Sequence, residues 1–568
     1  MNIRRMVLSL AISATAMGTA QAQWTGATTG SSAPYTNSAN WTGGNVNNDF
    51  SAVTLTGDLT LITPTFSATS SFNLNYGGAN NMRFQGDGGA RTITLGPGHN
   101  FSFQPTSSGR TLEFGVMLGS TNRLVHITTT SSTVSPAFTI GAGQTWNQNG
   151  QLGGGSTYVK QGAGVFNMKR GTANNFNVRV DEGEFIFGGM SVFPGTGYTA
   201  TVNGSGTLSV GAFNQVNSYT LNLNGGAFTT ASGGGSTLAS FSSTGGGDVT
   251  VSGASLTVGG NVAYSVGDAN KSLTLTGGTV SLGSSTRTFT VADDADLAAE
   301  VVISSVLSSG GGFTKTGLGV MRLTGVNTYT GATAVSAGKL EVAGSGNINS
   351  TSGITVAAGG SLFYNSSVAL TRAPTLNGSG GSRAQLGGSS TINAAVTLNS
   401  LDDVLSPGNS PGILTFGTSQ TWQSYTYEWE VNDWTGTTAG TNFDRIDITG
   451  SLDLSGSSYV LDILSLTSGN VAGNVPNFSE TNRSWTILTT TGGITGFSAG
   501  NWSLNTTGFT NSTTGSWSIS KALNNNDLQL NYTVTVIVPE PSTLLLGGIG
   551  LAVTGWAARR RRQGLGRG

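Results

Sequence analysis

Two copies of one short pattern constrain the fold of this chain more than any other feature. The copy at residues 312–342 aligns without a gap, over residues 313–342, to residues 158–187, with Lys315 in the place of Lys160. Each copy has two short apolar runs, joined by a turn rich in Asn, Thr and Gly that can fold back sharply because Gly tolerates positive φ. A unit this short has one apolar face and nothing of its own to cover it. It must therefore stack on similar units.

One lysine and several glycines form the framework that the two copies share. The other aligned pairs are Gly162 with Gly317, Gly164 with Gly319, Gly183 with Gly338, and Phe185 with Leu340. The later copy is the cleaner one, because the earlier copy has Thr172 and Asn174 where the later one has Asn327 and Tyr329.

The later copy resembles a known family, the autotransporter-associated β-strand repeat or passenger-associated transport repeat. The family pattern is K-x-G-x-G-x-x-x-L-x-G-x-N-x-Y-x-G-x-T-x-V-x-x-G-x-L. The matching residues are Lys315, Gly317, Gly319, Leu323, Gly325, Asn327, Tyr329, Gly331, Thr333, Val335, Gly338 and Leu340. The resemblance implies a right-handed parallel β-helix in a secreted or surface protein. It implies no particular reaction.

The composition suits a long β-stack and argues against several classes of protein. Of the 568 residues, 88 are Gly, 9% are charged and none is Cys. The length would allow several domains, but a solenoid grows without splitting because each coil contacts only its neighbours. The net charge of −1 argues against a general affinity for nucleic acid or anionic lipid. The absence of Cys excludes disulfides and thiol chemistry.

Short apolar runs separated by Gly-rich turns recur along most of the chain. Strand-like tags stand at Leu208, Phe228, Leu256 and Val280, with spacings of 20, 28 and 24 residues. Leu340 and Leu362 are 22 residues apart, and all these spacings fall in the range of one solenoid coil. Apolar and polar residues alternate inside the tags, which predicts one buried and one solvated face.

Proline is absent from residue 195 to residue 373, and helix signals are almost absent as well. Proline cannot donate a hydrogen bond to a ladder, so its absence favours a continuous stack of parallel strands. We therefore predict an all-β chain with a parallel β-helix over residues 23–404. Residues 29–44 resemble the opening cap of the repeat family, with Trp41 as a lid residue.

Residues 1–22 have the three parts of a secretory signal. Arg4 and Arg5 give a positive start, an apolar run follows, and Ala20 and Ala22 form an A-x-A cleavage site. The apolar run is too short to span a bilayer, which makes an N-terminal membrane anchor the weaker alternative. The arginine pair fits the twin-arginine route poorly, so we expect ordinary export.

The character of the chain changes at LSPGNSPG, residues 405–412, a connector with two Pro and two Gly. Six of the ten Trp residues lie between there and residue 537, among further strand-like runs. We predict a β-rich C-terminal module over residues 405–537, built either from wider, more aromatic coils or as a small sandwich cap. A translocator barrel is not expected, because the segment lacks sustained alternation with apolar residues outward.

Residues 538–568 resemble a PEP-CTERM sorting signal. Pro539, Glu540 and Pro541 form the motif, residues 543–558 are a short apolar segment, and a basic cluster follows at Arg559, Arg560, Arg561 and Arg562. The resemblance implies processing by an exosortase, a membrane enzyme of Gram-negative bacteria. We therefore expect a single transmembrane helix that anchors the chain transiently in the inner membrane. A permanent single-pass anchor is the alternative.

The sequence offers few candidates for metal binding. His99 and His126 stand among Ser, Thr and Phe without partnered ligands, so we expect surface or packing roles for them. Asp293, Asp294 and Asp296 could supply oxygens to Ca²⁺, but a turn between two coils is the simpler interpretation. We expect no metal and no cofactor.

Two pairs of carboxylates are candidates for acid–base chemistry. Glu428 and Glu430 would point to one face of a strand, as in a glycosidase, although alternation of outward acids and inward aromatics explains them more simply. Asp444 and Asp447 should lie on opposite faces of a strand and serve solvation. No catalytic residue is therefore predicted.

The sequence thus favours an exported, non-enzymatic β-solenoid of the cell surface or extracellular matrix. Outer faces rich in Thr, Ser and Asn suggest adhesion to exopolysaccharide or to copies of the same chain, an inference from architecture and family resemblance. The alternative is a β-helix polysaccharide lyase or glycoside hydrolase. That alternative requires three or more charged side chains to converge in one cleft.

Overall fold

The structure is a computed structural model that describes residues 109–114, 125–129, 131–169, 175–188, 197–211, 219–230, 235–267 and 270–534, together with the backbone of the strands before residue 124. Strands are numbered here in chain order. The strands before residue 124 are β1 Met6–Ser9, β2 Ala33–Pro34, β3 Asp49–Phe50, β4 Leu59–Thr63, β5 Phe66–Ser67, β6 Asn73–Tyr76, β7 Met82–Gly86, β8 Arg91–Leu95, β9 Asn100–Phe103, β10 Thr111–Phe114, β11 Val116–Leu118 and β12 Thr121–Arg123.

The next group of strands leads up to the clean repeat. These strands are β13 Val125–Thr129, β14 Ala137–Ile140, β15 Thr145–Gln148, β16 Thr157–Gln161, β17 Val165–Met168, β18 Asn177–Phe187, β19 Thr199–Val210, β20 Tyr219–Asn224, β21 Ala227–Thr230, β22 Ser236–Thr244, β23 Gly247–Val258, β24 Val262–Ser265, β25 Leu273–Ser281, β26 Arg287–Val291, β27 Val301–Ile303 and β28 Val306–Ser308.

The remaining strands contain the clean repeat and everything after it. These strands are β29 Phe313–Thr316, β30 Val320–Leu323, β31 Thr333–Val335, β32 Gly338–Gly344, β33 Ile354–Ala357, β34 Gly360–Ser366, β35 Pro374–Asn377, β36 Ala384–Gly388, β37 Thr391–Ile392, β38 Asn399–Pro407, β39 Ile413–Phe416, β40 Gln420–Thr421, β41 Ser424–Val431, β42 Arg445–Ile448, β43 Leu452–Asp453, β44 Ser458–Ser465, β45 Arg483–Thr490, β46 Ile494–Thr495, β47 Trp502–Asn505, β48 Ser516–Lys521 and β49 Asp527–Thr533.

The chain coils into a parallel β-solenoid, as the repeats predict. Along most of the chain, successive strands alternate between two ladders and pair in parallel with strands of the next coil. The antiparallel pairs are β11 with β12, β45 with β49, and β48 with β49. Face A is the ladder β24–β26–β29–β31–β33–β35. Face B is the ladder β27–β30–β32–β34–β36–β38–β41–β44–β47. The prediction of an all-β, parallel β-helix is confirmed.

Alternation of apolar and polar residues explains why these segments form strands. In β29 and β30 every second residue is buried, so one side of each strand faces the interior of the coil and the other faces solvent. Identical positions stack from coil to coil, as Leu340 lies beside Leu362. Aromatic residues stack in the same way in the first copy, where the rings of Phe166 and Phe185 are 4.9 Å apart.

The sequence spacing predicts that Phe228 and Leu256 stand at equivalent positions of successive coils, and this prediction is wrong. Leu208 does pair with Phe228, but Phe228 pairs with Val249, and Leu256 pairs with Ser236 and Val280. The long strand β23 bends and contributes to two ladders, so the tag at Leu256 belongs to a different ladder from the tag at Phe228. Burial alone cannot reveal this, because all these apolar residues are inside.

The coils widen toward the C-terminal end of the solenoid. Tyr427 pairs with Leu461 and Leu461 with Leu504, which are steps of 34 and 43 residues, compared with 22 between Leu340 and Leu362. The interpretation of wider, more aromatic coils is therefore the one that the structure supports. The division into domains at residue 404 stays a prediction, since face B passes through it inside β38.

An antiparallel strand pair ends the third ladder of the widened coils. This ladder, β37–β39–β42–β45, is parallel, but β49 pairs antiparallel with β45 and β48 pairs antiparallel with β49. The reversal ends the parallel ladder and covers its apolar edge. The helical element of the described part is a 3₁₀ turn at Ala499–Asn501.

No helix among the described residues has the length and hydropathy needed to cross a membrane. The predicted membrane segment, residues 543–558, lies outside the described residues. The same is true of the signal-cleavage residues Ala20 and Ala22, of the cap residue Trp41, and of the sorting motif with its basic cluster.

Candidate functional site

The repeat lysine is buried in the solenoid and held by carbonyl oxygens. Lys315 stands in face A between Phe289 and Val335, so it interrupts an otherwise apolar column. Its Nζ donates to the carbonyl oxygens of Thr316 at 3.1 Å, Gly317 at 2.7 Å and, in the next coil, Ala337 at 3.0 Å. We call these three acceptors the carbonyl cage. Burial lowers the pKa of Lys315 to about 8, and Glu300 opposes this shift.

The first copy builds the same cage although its sequence is degenerate. Nζ of Lys160 donates to the carbonyl oxygens of Gln161 at 2.9 Å, Gly162 at 2.5 Å and Glu182 at 3.0 Å. Burial lowers the pKa of Lys160 to about 8 as well. In both copies the lysine thus joins the turn that follows its own strand to the corresponding turn of the next coil. This shared contact explains why the lysine and glycine positions recur.

Two glycines of the framework are required by the shape of this turn. Gly317 has φ +75°, and a Cβ there would lie 2.2 Å from the carbonyl oxygen of Val291. Gly338 has φ +64°, and its Cβ would lie 2.5 Å from the carbonyl oxygen of Gly317. Gly319 and Gly331 also approach neighbouring backbone too closely to accept a side chain.

Asn327 and Tyr329 are both buried and bind backbone and side chains in adjacent coils. The amide nitrogen of Asn327 donates to the carbonyl oxygens of Gly325 at 2.9 Å and Asn347 at 3.0 Å, and its oxygen accepts from the backbone nitrogen of Leu307 at 2.9 Å. One side chain therefore contacts three consecutive coils. Its hydrogen-bonding groups are satisfied in the interior, as a buried amide requires.

The Tyr329 hydroxyl belongs to a buried chain of hydroxyl groups. It lies 2.6 Å from the hydroxyl of Thr333, which donates to that of Thr351 at 3.1 Å. Thr351 in turn donates to the carbonyl oxygen of Gly331 at 2.7 Å. Leu340, the last residue of the pattern, is fully buried. Lys315, Asn327 and Thr333 therefore join neighbouring coils, and these contacts of the repeat are structural.

Sequence reasoning missed Glu300, a buried carboxylate near the repeat. Its oxygens accept from the backbone nitrogens of Asp294 at 3.0 Å and Val320 at 2.5 Å. It lies before the clean repeat in the sequence, in a turn without a recognisable pattern. Only the stacking of coils brings it to the lysine.

A cluster of charges on the outer side of face B was also missed. Arg383 pairs with Glu428 and, at 2.6 Å, with Asp462, and Gln385 donates to Glu428 at 2.7 Å. Asn505 donates to Asp462 at 2.8 Å. The ion-paired residues come from β41, β44 and the residue before β36, so three charged side chains converge although the chain has few charges.

Glu428 and Glu430 lie on one face of β41, with Trp429 buried between them, as the alternation predicts. Burial raises the pKa of Glu428, and neighbouring Asp462 raises it further while Arg383 opposes the shift. Burial likewise raises the pKa of Glu430. Neither carboxyl is freely solvated, and Glu428 is neutralised by an arginine.

The solvation role predicted for Asp444 is wrong. Asp444 is fully buried, and its carboxylate accepts from the backbone nitrogens of Gly412 at 2.6 Å and Glu430 at 3.0 Å. Burial, together with Glu430, raises its pKa well above the usual range. It therefore fastens the end of LSPGNSPG to β41. Asp447 faces outward and pairs with Arg445 at 2.6 Å, so the two aspartates do lie on opposite faces.

The remaining candidates have ordinary roles in the fold. The segment with Asp293, Asp294 and Asp296 is a turn, and the Asp294 carboxylate accepts from the backbone nitrogen of Asp296 at 3.2 Å. Across the residues that the structure describes, no group of three His, Cys, Asp or Glu side chains could hold a metal ion. His126 packs between coils, since its Nδ1 accepts from the backbone of Gln151 at 3.0 Å and burial lowers its pKa. His99 lies outside the described residues.

Comparison with known proteins identifies both resemblances. A family model described as the passenger-associated-transport-repeat matches residues 313–342, and one described as the PEP-CTERM protein-sorting motif matches residues 538–562. No curated protein matches the chain. The two matches and the β-solenoid fit an exported protein of the cell surface, and the PEP-CTERM motif is associated with exosortase processing.

Proposed function

We propose that this protein is an exported, non-enzymatic β-solenoid that is associated with exopolysaccharide at the cell surface or in the extracellular matrix, and that an exosortase processes its C-terminus. The inner membrane would hold the chain only until that cleavage. The proposal rests on the two family matches and on the surface that the coils present.

The observation that carries an adhesive role is the outer surface of face A. Its outward positions carry mostly hydroxyl groups, which form columns from coil to coil, and some neighbours are in hydrogen-bonding contact. The hydroxyls of Thr290 and Thr316 are 3.0 Å apart. In the strands that precede face A in the same ladder, Ser242 of β22 donates to Asn222 of β20 at 2.6 Å. One column consists of Thr288, Thr314, Thr355 and Thr375, with Ala334 interrupting it between Thr314 and Thr355.

Such columns suit a polyhydroxylated polymer. A hydroxyl has one donor and two acceptor positions, so a contact to the next coil leaves capacity for a ligand. The strands hold these groups rigidly at the regular spacing of a β-ladder, so many weak contacts can add up along one polymer chain. Uncharged groups bind without displacing counterions, which agrees with the low charge of the chain.

The adhesive surface can be tested by placing charges on it. Thr290, Thr355 and Thr375 are exposed on face A. We expect the triple variant with Glu at these positions to be exported normally but released from the matrix into the medium. The matched control places Glu at exposed positions outside face A, such as Ser503, Thr507 and Thr510. Equal retention of both variants would contradict adhesion through face A.

The convergence of Arg383, Glu428 and Asp462 is the specific observation that favours a polysaccharide lyase or glycoside hydrolase. That alternative requires three or more charged side chains to converge in one cleft, and these three do converge, on the outer side of face B. Mutual ion pairing supports a structural role instead, because a catalytic carboxylate must be free to reach its substrate. Incubation with polyuronate and with neutral glucan decides between them. We expect no release of reducing ends or unsaturated products, whereas release that is abolished by Glu428→Gln would establish the enzyme.

A further inference from the structure

The widened coils contain a dense aromatic cluster that reaches the surface. Trp434 lies at its centre, with ring centroids of Phe478 at 4.7 Å, Trp485 at 5.0 Å and Tyr532 at 5.3 Å. Trp517 stacks on Trp485 at 5.9 Å with an interplanar angle of 22°. Trp434 and Trp485 are buried, whereas Phe478 and Trp517 are half-buried and form the rim. The cluster therefore has an apolar floor and an accessible aromatic edge.

Three hydrogen-bond donors in this cluster have no acceptor. These are the indole nitrogens of Trp434 and Trp485 and Nε of Arg483, all of them buried atoms. A buried donor without an acceptor is costly, and natural folds pair nearly all such groups. Trp146, Trp422 and Trp502 also have buried indole nitrogens without an acceptor, so the side chain of this cluster that a ligand can reach is the half-exposed Arg483.

One cation, Arg483, lies against the cluster. The guanidinium of Arg483 lies 5.4 Å from the ring centre of Trp485, and its Nη2 donates to the carbonyl oxygen of Gly436 at 3.0 Å. The nearby carboxylate of Glu480 already accepts from the Tyr532 hydroxyl at 2.5 Å and from the backbone nitrogen of Thr514 at 2.8 Å. Arg483 is therefore left without a carboxylate partner among the described contacts.

We propose that this cluster is a binding site for an acidic sugar, a uronic acid residue of a polysaccharide. The carbon–hydrogen face of the sugar ring packs on the aromatic rim, and its carboxylate pairs with the guanidinium of Arg483. A neutral sugar has the ring face but no carboxylate, so it leaves the arginine unpaired. This inference rests on the proposed association with exopolysaccharide and assigns one ligand class to one end of the solenoid.

The test is titration of the full-length chain with tetragalacturonate and with neutral cellotetraose, followed by tryptophan fluorescence and calorimetry. We expect the acidic tetrasaccharide to change the fluorescence and to bind at least about tenfold more tightly than the neutral one. Arg483→Gln should weaken acidic binding by about tenfold and leave neutral binding unchanged. Trp517→Ala should weaken the binding of both sugars, because it removes the stacking edge.

The control variant is Arg372→Gln, since Arg372 is an exposed arginine outside the cluster. It should bind as the unmodified protein does, and near-ultraviolet circular dichroism verifies that each variant is folded. Equal affinity for the two sugars, no binding of tetragalacturonate, or full affinity in both Arg483→Gln and Trp517→Ala would overturn the proposal. If the sugar-binding result fails but the unmodified protein is still found in the matrix, only this binding site is overturned. If the unmodified protein is not found in the matrix at all, the proposed function is overturned.

Discussion

Nζ of Lys315 donates a 3.0 Å hydrogen bond to the carbonyl oxygen of Ala337, one coil further along the solenoid. The same relationship joins Lys160 to Glu182 in the first copy. The lysine thus takes the place of an apolar residue in the buried column of face A, and its ammonium group binds the turns of two successive coils. This contact explains the repeat pattern better than hydrophobic burial does, because a leucine at this position would leave the carbonyl cage without donors.

The first prediction concerns removal of that lysine. Lys315→Met should lower the free energy of unfolding by about 2–4 kcal/mol, because three buried carbonyl oxygens lose their donor. Urea denaturation followed by circular dichroism measures the loss. Lys271 is a matched control, since it forms an exposed ion pair with Asp248 at 2.5 Å. Lys271→Met should change stability by less than about 1 kcal/mol, and equal losses would refute the cage.

The second prediction separates backbone conformation from close contact. Gly338 and Gly344 both have positive φ, of +64° and +63°, but only Gly338 has backbone atoms where a Cβ would stand. Gly338→Ala should lose roughly 3 kcal/mol, from strain and from the clash with the turn below. Gly344→Ala should lose only about 1 kcal/mol, the cost of the left-handed conformation. Similar melting temperatures for the two variants would contradict the packing of the turn.

The third prediction follows from the lowered pKa of Lys160 and Lys315. Both titrate at about 8 in the folded chain and at the ordinary value of 10.5 when unfolded. Between these values the unfolded chain binds more protons, so stability should rise with pH above about 8. Burial raises the pKa of Tyr329 and other tyrosines, so these groups lower the stability of the folded chain as the pH rises. That loss begins only near pH 10, the ordinary pKa of tyrosine.

The measurement is the midpoint of thermal unfolding at pH 7.5 and at pH 9.5. We expect a higher midpoint at the higher pH, and a smaller difference in the double variant Lys160→Met, Lys315→Met. A midpoint that falls over this interval in the unmodified protein, with no change in the double variant, would be inconsistent with neutralisation of the buried lysines.

The fourth prediction concerns the connector LSPGNSPG. Asp444→Ala should lose about 2 kcal/mol or more, because the backbone nitrogens of Gly412 and Glu430 lose their acceptor. Asp447→Ala removes a carboxylate three residues away that only pairs with half-exposed Arg445, so it should lose less than about 1 kcal/mol. Hydrogen exchange at Gly412 should accelerate in the first variant alone. Equal exchange rates in the two variants would show that Asp444 does not hold the connector.

The sequence predicts the architecture because the architecture is periodic. Alternation within strands, the Lys–Gly framework and the absence of proline from residue 195 to 373 suffice for a parallel β-solenoid. Leu340 and Leu362 stack at the spacing that their positions suggest. Periodicity fails where coil length varies, which is why Phe228 pairs with Val249 and not with Leu256.

The polar contacts are much harder to predict than the coils. Arg383 meets Glu428 and Asp462 from 45 and 79 residues away, across coils of unequal length. Asp444 directly precedes β42, where Arg445 and Asp447 face outward, yet Asp444 itself is buried inside the widened coil. In both cases the partner is set by the number of residues in intervening loops, and that number leaves no local pattern at the charged residue.

Export and C-terminal cleavage are tested directly by the intact mass and cellular fraction of the protein in its native host. Wild type is compared with a variant in which Pro539, Glu540 and Pro541 are replaced by Ala. We predict a wild-type chain that starts at Gln23, ends near the motif and is found at the surface or in the matrix, while the variant stays uncleaved in the membrane fraction. A wild-type chain that keeps Arg559–Arg562 and remains in the membrane would contradict the account.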